Sequence, residues 1–150
     1  RGEYQLPPLR GGFSLVIAAF RLSLIRHCRM NTFMHSIIST PLFLMQAKRT
    51  GVTESEMDAI LSLIAANPEA GDVMVGTGGA RKLRHAKDGA GKSGGYRTIH
   101  YFGGDDIPVF LLAIYGKSEK PNLSMAERNE LAKILPKLAD VYRRKKTLGG

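Results

Sequence analysis

The sequence predicts an α+β domain, in which two helices lead into an antiparallel sheet and a third helix closes the chain. Three observations predict it. Two stretches pair a helix-start signal with apolar residues at helical spacing, several others alternate or run apolar as strands do, and strong turn residues separate them. The 150 residues, 43% of them hydrophobic, are enough for one domain with a substantial core. No internal repeat or low-complexity tract divides them.

Phe33 to Ser39 suits a short strand. Thr40-Pro41 then starts a helix, with Pro at its first position, where a missing N–H costs nothing. Leu42, Phe43, Met45 and Ala47 follow, and the helix ends near Gly51. Thr53 and Glu56 have capping-box spacing, and Met57, Ile60, Leu61 and Ile64 recur at helical period, so a helix is predicted over 54–66. Asn67-Pro68 stops it, and Gly76 to Gly79 is a loop.

Ala80 to Ala86 reads as a strand, the Gly-rich stretch 88–95 as a turn, and Tyr96 to Phe102 as a second strand. Gly103 to Asp106 is a hairpin turn. Pro108 to Tyr115 is nearly continuously apolar, as befits a central strand buried on both faces. Ser124 and Glu127 form a second capping box, and Leu131, Ile134, Leu135, Leu138 and Val141 make the apolar stripe of a last helix. The order β-α-α-β-β-β-α implies an antiparallel meander with helices on one side of the sheet.

Residues 1–29 read as an upstream extension outside a domain of residues 30–150, with an amphipathic arm as the alternative. Phe13 to Phe20 is apolar and follows Arg10, like a short signal-peptide core. Arg21 and Arg26 interrupt it, however, no small-residue cleavage site follows, and it is too short to span a membrane. Cys28 is the only cysteine, which excludes an intramolecular disulfide and fits a reducing, cytoplasmic setting with no membrane association.

The formal charge of +9 is unevenly spread. Residues 30–80 carry two basic groups against five acids, whereas residues 81–101 carry six against one. The densest basic patch therefore lies on a predicted strand pair, and a cationic surface on an ordered scaffold suits a polyanion. Ala86 to Ser93 fits a relaxed P-loop pattern with Ala in the first Gly position. A working P-loop must run from a strand into a helix whose N-terminus receives the phosphates, and here Gly95 to Ile99 opens a strand. Nucleotide hydrolysis is excluded on that context.

In Arg81-Lys82-Leu83-Arg84, alternation puts Lys82 and Arg84 on one face, and Arg81, Leu83 and His85 on the other. Arg97 lies on the next strand, and Lys117 and Lys120 follow the one after. If these strands pair in sequence, cationic heads converge from three segments. The bland alternative is a set of separately solvated strand ends.

The stretches RKLR (81–84), GKSGGYRTIHYF (91–102) and PVFLLAIYGKSEKPNLSMAERNELAKIL (108–135) resemble the RelE/HigB toxins of type II toxin–antitoxin systems. NPEAGDVMVGTGGARKLR (67–84) is similar to the HigB-like branch, and the likeness covers roughly residues 33–137. The resemblance implies a RelE-like fold and a ribonuclease that cleaves mRNA, usually on the ribosome. It also implies a cognate antitoxin, of the HigA-like helix-turn-helix kind in this branch. By motif it places catalytic basic residues at Lys82, Arg84, Arg97 and Lys117. Arg81, Lys92, Tyr101, which alternation puts on the face of Arg97, and Lys120 are expected as further RNA contacts. RelE itself has a Tyr in the turn after its last strand, and the position here that resembles it is Leu123. Proton transfer then falls to Tyr115, Tyr101, His85 or His100, or the site works by electrostatics alone.

Such a site would cleave a phosphodiester through the RNA's own 2′-hydroxyl. Fixed Arg and Lys side chains stabilise the charge that builds on the non-bridging oxygens, and the Arg fork grips phosphate bidentately without losing its proton. No metal or other cofactor is expected. The competing class is a non-catalytic toxin of the ParE type, which uses the same fold against DNA gyrase.

Overall fold

The computed structural model describes residues 35–87, 89, 94–117, 119 and 123–149. The expected extension 1–29, the start of the first strand at Phe33, and Lys92 and Lys120 lie outside the described residues. Among the described residues no helix is long and apolar enough to cross a membrane.

The elements run β1 (Ile37–Ser39), α1 (Pro41–Thr50), α2 (Glu54–Ala66), β2 (Asp72–Val73), β3 (Ala80–Ala86), β4 (Gly95–Tyr101), β5 (Val109–Gly116) and α3 (Met125–Leu148). Both capping boxes form as expected: Thr53 Oγ1 accepts from the Glu56 N–H while Glu56 Oε2 accepts from the Thr53 N–H, and Ser124 and Glu127 do the same for α3. Gly51 ends α1 in the left-handed conformation that favours glycine (φ 74°).

The strands form one five-stranded sheet in the order β1-β5-β4-β3-β2. β3, β4 and β5 are the expected antiparallel meander. β1, in contrast, pairs with β5 in parallel, so the sheet is mixed rather than purely antiparallel. The two-residue β2, which lies in the stretch between Pro68 and Gly76, pairs with the edge of β3.

The helices do not share one side of the sheet, as the element order had suggested. Ile60, Ile64, Phe43 and Ala47 of α1 and α2 pack on one face with Val109, Leu111 and Ile114. Leu131, Leu135 and Ala139 of α3 pack on the other with Ile99, Phe110 and Leu112. This follows from the fully apolar β5: both of its faces need cover, and only helices on opposite sides supply it. Val141, assigned to the apolar stripe of the last helix, is 44% exposed, and Tyr142 packs on Phe110 in its place.

β5 contains an irregularity that sets the orientation of everything after it. Tyr101 pairs with Phe110 and His100 with Leu111, but Ile99 pairs with Ala113, so Leu112 is an extra residue. Before this bulge Phe110 faces α3 and Leu111 faces α1 and α2; after it Ala113 and Tyr115 face α3 and Ile114 the opposite way. A bulge reverses the parity of a strand in this way.

β1 ends at Ser39 because Pro41, two residues on, begins α1. β5 continues past it, and α1 side chains take over the hydrogen bonds of that edge. Thr40 Oγ1 caps α1 by accepting from the Phe43 N–H, and it donates to the carbonyl of Leu112, the bulge residue. Gln46 Oε1 accepts from the Ile114 N–H at 3.0 Å.

Candidate active site

Alternation along β3 is realised as the sequence predicts. The register sets Arg84 opposite Arg97, and Arg97 opposite Tyr115, so these three residues form one row across β3, β4 and β5 on the face that carries α3. Directly paired residues in antiparallel strands hold their Cβ atoms within about 4.5–5.5 Å. Lys82 lies on the same face, opposite Ile99. Lys117 is two residues beyond Tyr115, and its N–H donates to the Gly95 carbonyl at 3.1 Å, which keeps it at the end of the same strand pair. The structure thus brings together Lys82, Arg84, Arg97, Tyr115 and Lys117. Arg84 is exposed and Arg97 and Lys82 are half-buried, so the row opens to solvent from the edge inward.

Tyr115 is the buried end of this row, at 5% exposure, and its hydroxyl has no hydrogen-bond partner among the described residues. Burial pushes its phenol above the ordinary tyrosine value; the Arg97 charge pulls in the opposite direction and Glu127 adds to the rise. Tyr115 is therefore a neutral O–H donor at physiological pH. Glu127 belongs to the first turn of α3. Arg128 fastens that turn to the β2–β3 connection, its Nη1 donating to the Val75 carbonyl at 3.4 Å.

Other sequence candidates lie elsewhere. Tyr101 shares the face of Arg97 but is four residues along β4, about 13 Å away, buried beneath α3. Burial raises its pKa, and the charges it feels are Arg143, Asp140 and Asp106 at the far end of the helix. Arg81 is on the opposite face, its Nη1 donating to the carbonyls of Glu69 (2.8 Å) and Gly71 (3.3 Å).

Neither histidine joins the row. His85 lies beside Thr98 on the α1–α2 face, with its Nε2 2.8 Å from the Thr98 hydroxyl; burial, then the neighbouring His100, lower its pKa to about 4. His100 is fully buried, and its Nε2 donates to the Pro68 carbonyl at 2.9 Å, which fixes the tautomer. Burial holds it below the usual histidine value, against the pull of that carbonyl. Both lie on the face of the sheet opposite the row, which leaves Tyr115 as the sequence-proposed proton carrier that the row contains. Leu123, which the resemblance to RelE matched with a Tyr, is buried against the α3-side core and offers no hydroxyl.

Two contributors carried no sequence signal as site residues. Glu127 reads only as a helix cap, and Gln46 as a polar residue of an amphipathic helix. The element described after β3 is the antiparallel strand β4 and not a helix, so the P-loop likeness of 86–93 lacks the strand-to-helix context it needs.

The model of the family described as the RelE toxin of the RelE / RelB toxin-antitoxin system matches residues 36–147. That span runs from the residue before β1 through nearly all of α3 and includes every member of the cationic row. The chain belongs to the RelE toxin family: it is the toxin component of a toxin–antitoxin system, with an antitoxin for its partner.

Proposed function

We propose that this toxin is an endoribonuclease that cleaves mRNA on the ribosome, with the Arg84–Arg97–Tyr115 row as its catalytic surface. The observation that carries the proposal is the row itself: two guanidiniums and a protonated phenol in consecutive cross-strand positions, flanked by Lys82 and Lys117. Like charges placed directly opposite one another destabilise a sheet, and a phosphate between them would relieve that cost.

In the reaction the 2′-oxygen attacks the adjacent phosphorus, loses its proton to solvent, and forms the 2′-O–P bond as the P–O5′ bond breaks. Arg97 and Arg84 stabilise charge on the non-bridging oxygens. Tyr115 is suited to protonate the departing 5′-oxygen, because its raised pKa keeps it an acid at neutral pH. The products carry a 2′,3′-cyclic phosphate and a 5′-hydroxyl. Lys82 and Lys117 hold the flanking backbone, and Lys92 and Lys120 are the sequence's further candidates for phosphate contact.

Its partner in this reading is a HigA-like helix-turn-helix antitoxin, in keeping with the likeness of residues 67–84 to the HigB-like branch, and it acts in the cytoplasm. An acidic antitoxin segment over the basic face would bind with an affinity that falls with salt.

The test is incubation of the purified toxin with an mRNA, free and on ribosomes, with mapping of the product ends. New 5′-hydroxyl ends paired with cyclic phosphates are expected. Intact mRNA in both settings, with replication arrest on induction in cells, would assign the toxin to the gyrase-directed class instead.

A further inference from the structure

The site sits on the face of α3, yet what aims its phenol is on the opposite side of the sheet. Had β5 kept strict alternation from Phe110, Tyr115 would face α1 and α2, away from Arg97. The extra residue Leu112 turns it over. The bulge occurs where β5 has outrun β1, and an edge with no strand beside it can slip or straighten. Two side chains of the α1 segment hold it: Thr40 Oγ1 on the Leu112 carbonyl and Gln46 Oε1 on the Ile114 N–H. The second is the peptide N–H immediately before Tyr115.

We propose that Gln46 is a positioning residue for the cleavage site: by occupying the place of a missing strand beside the β5 bulge, it fixes the direction of the Tyr115 phenol toward Arg97. The activity side of this inference rests on the ribonuclease reading above; the geometric side does not. Gln46 touches neither RNA nor the phenol. Its contribution is one acceptor atom at a fixed place, and displacements of about 1 Å in a catalytic group can cost roughly 10²-fold in rate. Thr40 does part of the same task but also caps α1, so its substitution would confound positioning with helix stability. Gln46 carries no capping role, which makes it the discriminating position.

The chemistry predicts an acceptor rule. Gln46→Glu keeps an oxygen for the Ile114 N–H, whereas Gln46→Leu keeps the volume and loses it. Two readouts separate positioning from general damage. The first is single-turnover cleavage of mRNA by the full chain, alongside affinity for the same RNA bearing a 2′-deoxy substitution at the cleaved nucleotide. The second is the ¹³Cζ resonance of Tyr115, assigned by its disappearance in Tyr115→Phe. Gln46→Leu is expected to slow cleavage ten- to a hundredfold with RNA affinity within about twofold, and to move the Tyr115 resonance. Gln46→Glu should restore both.

An unmoved resonance and an unchanged rate in folded Gln46→Leu would overturn the proposal. So would Gln46→Glu behaving like Gln46→Leu, since the acceptor would then not be what matters. If wild type cleaves no RNA while the resonance follows the acceptor rule, the ribonuclease reading fails and the positioning of Tyr115 by Gln46 stands.

Discussion

Arg84 and Arg97 are directly opposed cross-strand partners on β3 and β4, two basic side chains on one face of the sheet. Nothing in sheet packing favours that arrangement, because opposed like charges cost stability. In the proposed nuclease the pair would hold a phosphate. Inorganic sulfate or a short non-cleavable oligonucleotide should therefore raise the thermal midpoint of wild type, and raise that of Arg97→Ala less. Equal shifts in the two proteins would place anion binding elsewhere.

Arg97→Ala should also be the most damaging single change to activity that leaves the fold standing. By analogy with removal of one oxyanion donor, the loss is about 10²–10³ in rate, or roughly 2.7–4 kcal/mol of transition-state stabilisation. Single-turnover cleavage and growth arrest on induction would measure it, and a fully toxic, folded Arg97→Ala would remove Arg97 from the mechanism.

Tyr115→Phe isolates the hydroxyl. That group is buried with no hydrogen-bond partner among the described residues, so its removal should leave the thermal midpoint unchanged or slightly higher. Cleavage should fall by roughly 10²–10⁴, the usual contribution of a positioned acid. Stability lost together with activity would indicate a structural hydroxyl instead.

The buried histidines give the fold an acid limit. Both His85 and His100 have pKa values depressed in the folded state, His85 from 6.5 to about 4. The unfolded chain therefore binds more protons than the native one below pH 6.5, and stability falls as pH is lowered through that point toward 4. Thermal melts between pH 7 and 5 should show a falling midpoint, with a shallower slope in His100→Gln. A flat profile over this range would mean that the two rings are protonated without cost.

Glu56 joins a helix cap to the strand that carries Arg97. Its Oε2 accepts from the Thr53 N–H at 3.0 Å and from the Tyr96 hydroxyl at 2.9 Å, and the carboxylate is only 6% exposed. Glu56→Ala removes the acceptor of the Tyr96 hydroxyl and of a cap N–H, which should cost about 1–3 kcal/mol and lower the midpoint by roughly 5–15 °C. Glu56→Gln, which keeps an acceptor oxygen, should lose far less; a Gln variant as unstable as Ala would show that the charge, not the acceptor, matters.

What was legible in the chain was local. Thr53 with Glu56, Ser124 with Glu127, and Pro41 after Thr40 each announce a helix start through bonds within a few residues, and all three helices begin where those signals lie. Alternation along 81–85 likewise reveals which cations share a face. The parallel pairing of β1 with β5 was not legible, since Ile37–Ser39 carries no trace of a partner some seventy residues on. Nor was the bulge, because a uniformly apolar run has no alternation to interrupt. Tyr101 was drawn into the site by parity alone, which reports face but not distance along the strand, and Gln46 was missed because its acceptor acts on a backbone N–H that every sequence possesses.

The contacts from Thr40 to Leu112 and from Gln46 to Ile114 span 72 and 68 residues of chain. On a translating ribosome, α1 therefore emerges well before the strand it closes, by about 4–14 s at 5–20 residues per second. The cations of β3 and β4 emerge late in that interval: Arg97 precedes Leu112, the bulge that turns Tyr115 toward it, by 15 residues, about 1–3 s at the same rate. In the proposed nuclease Tyr115 is thus the last member of the Arg84–Arg97–Tyr115 row to be made, which leaves time for a waiting antitoxin to meet the site as it first closes.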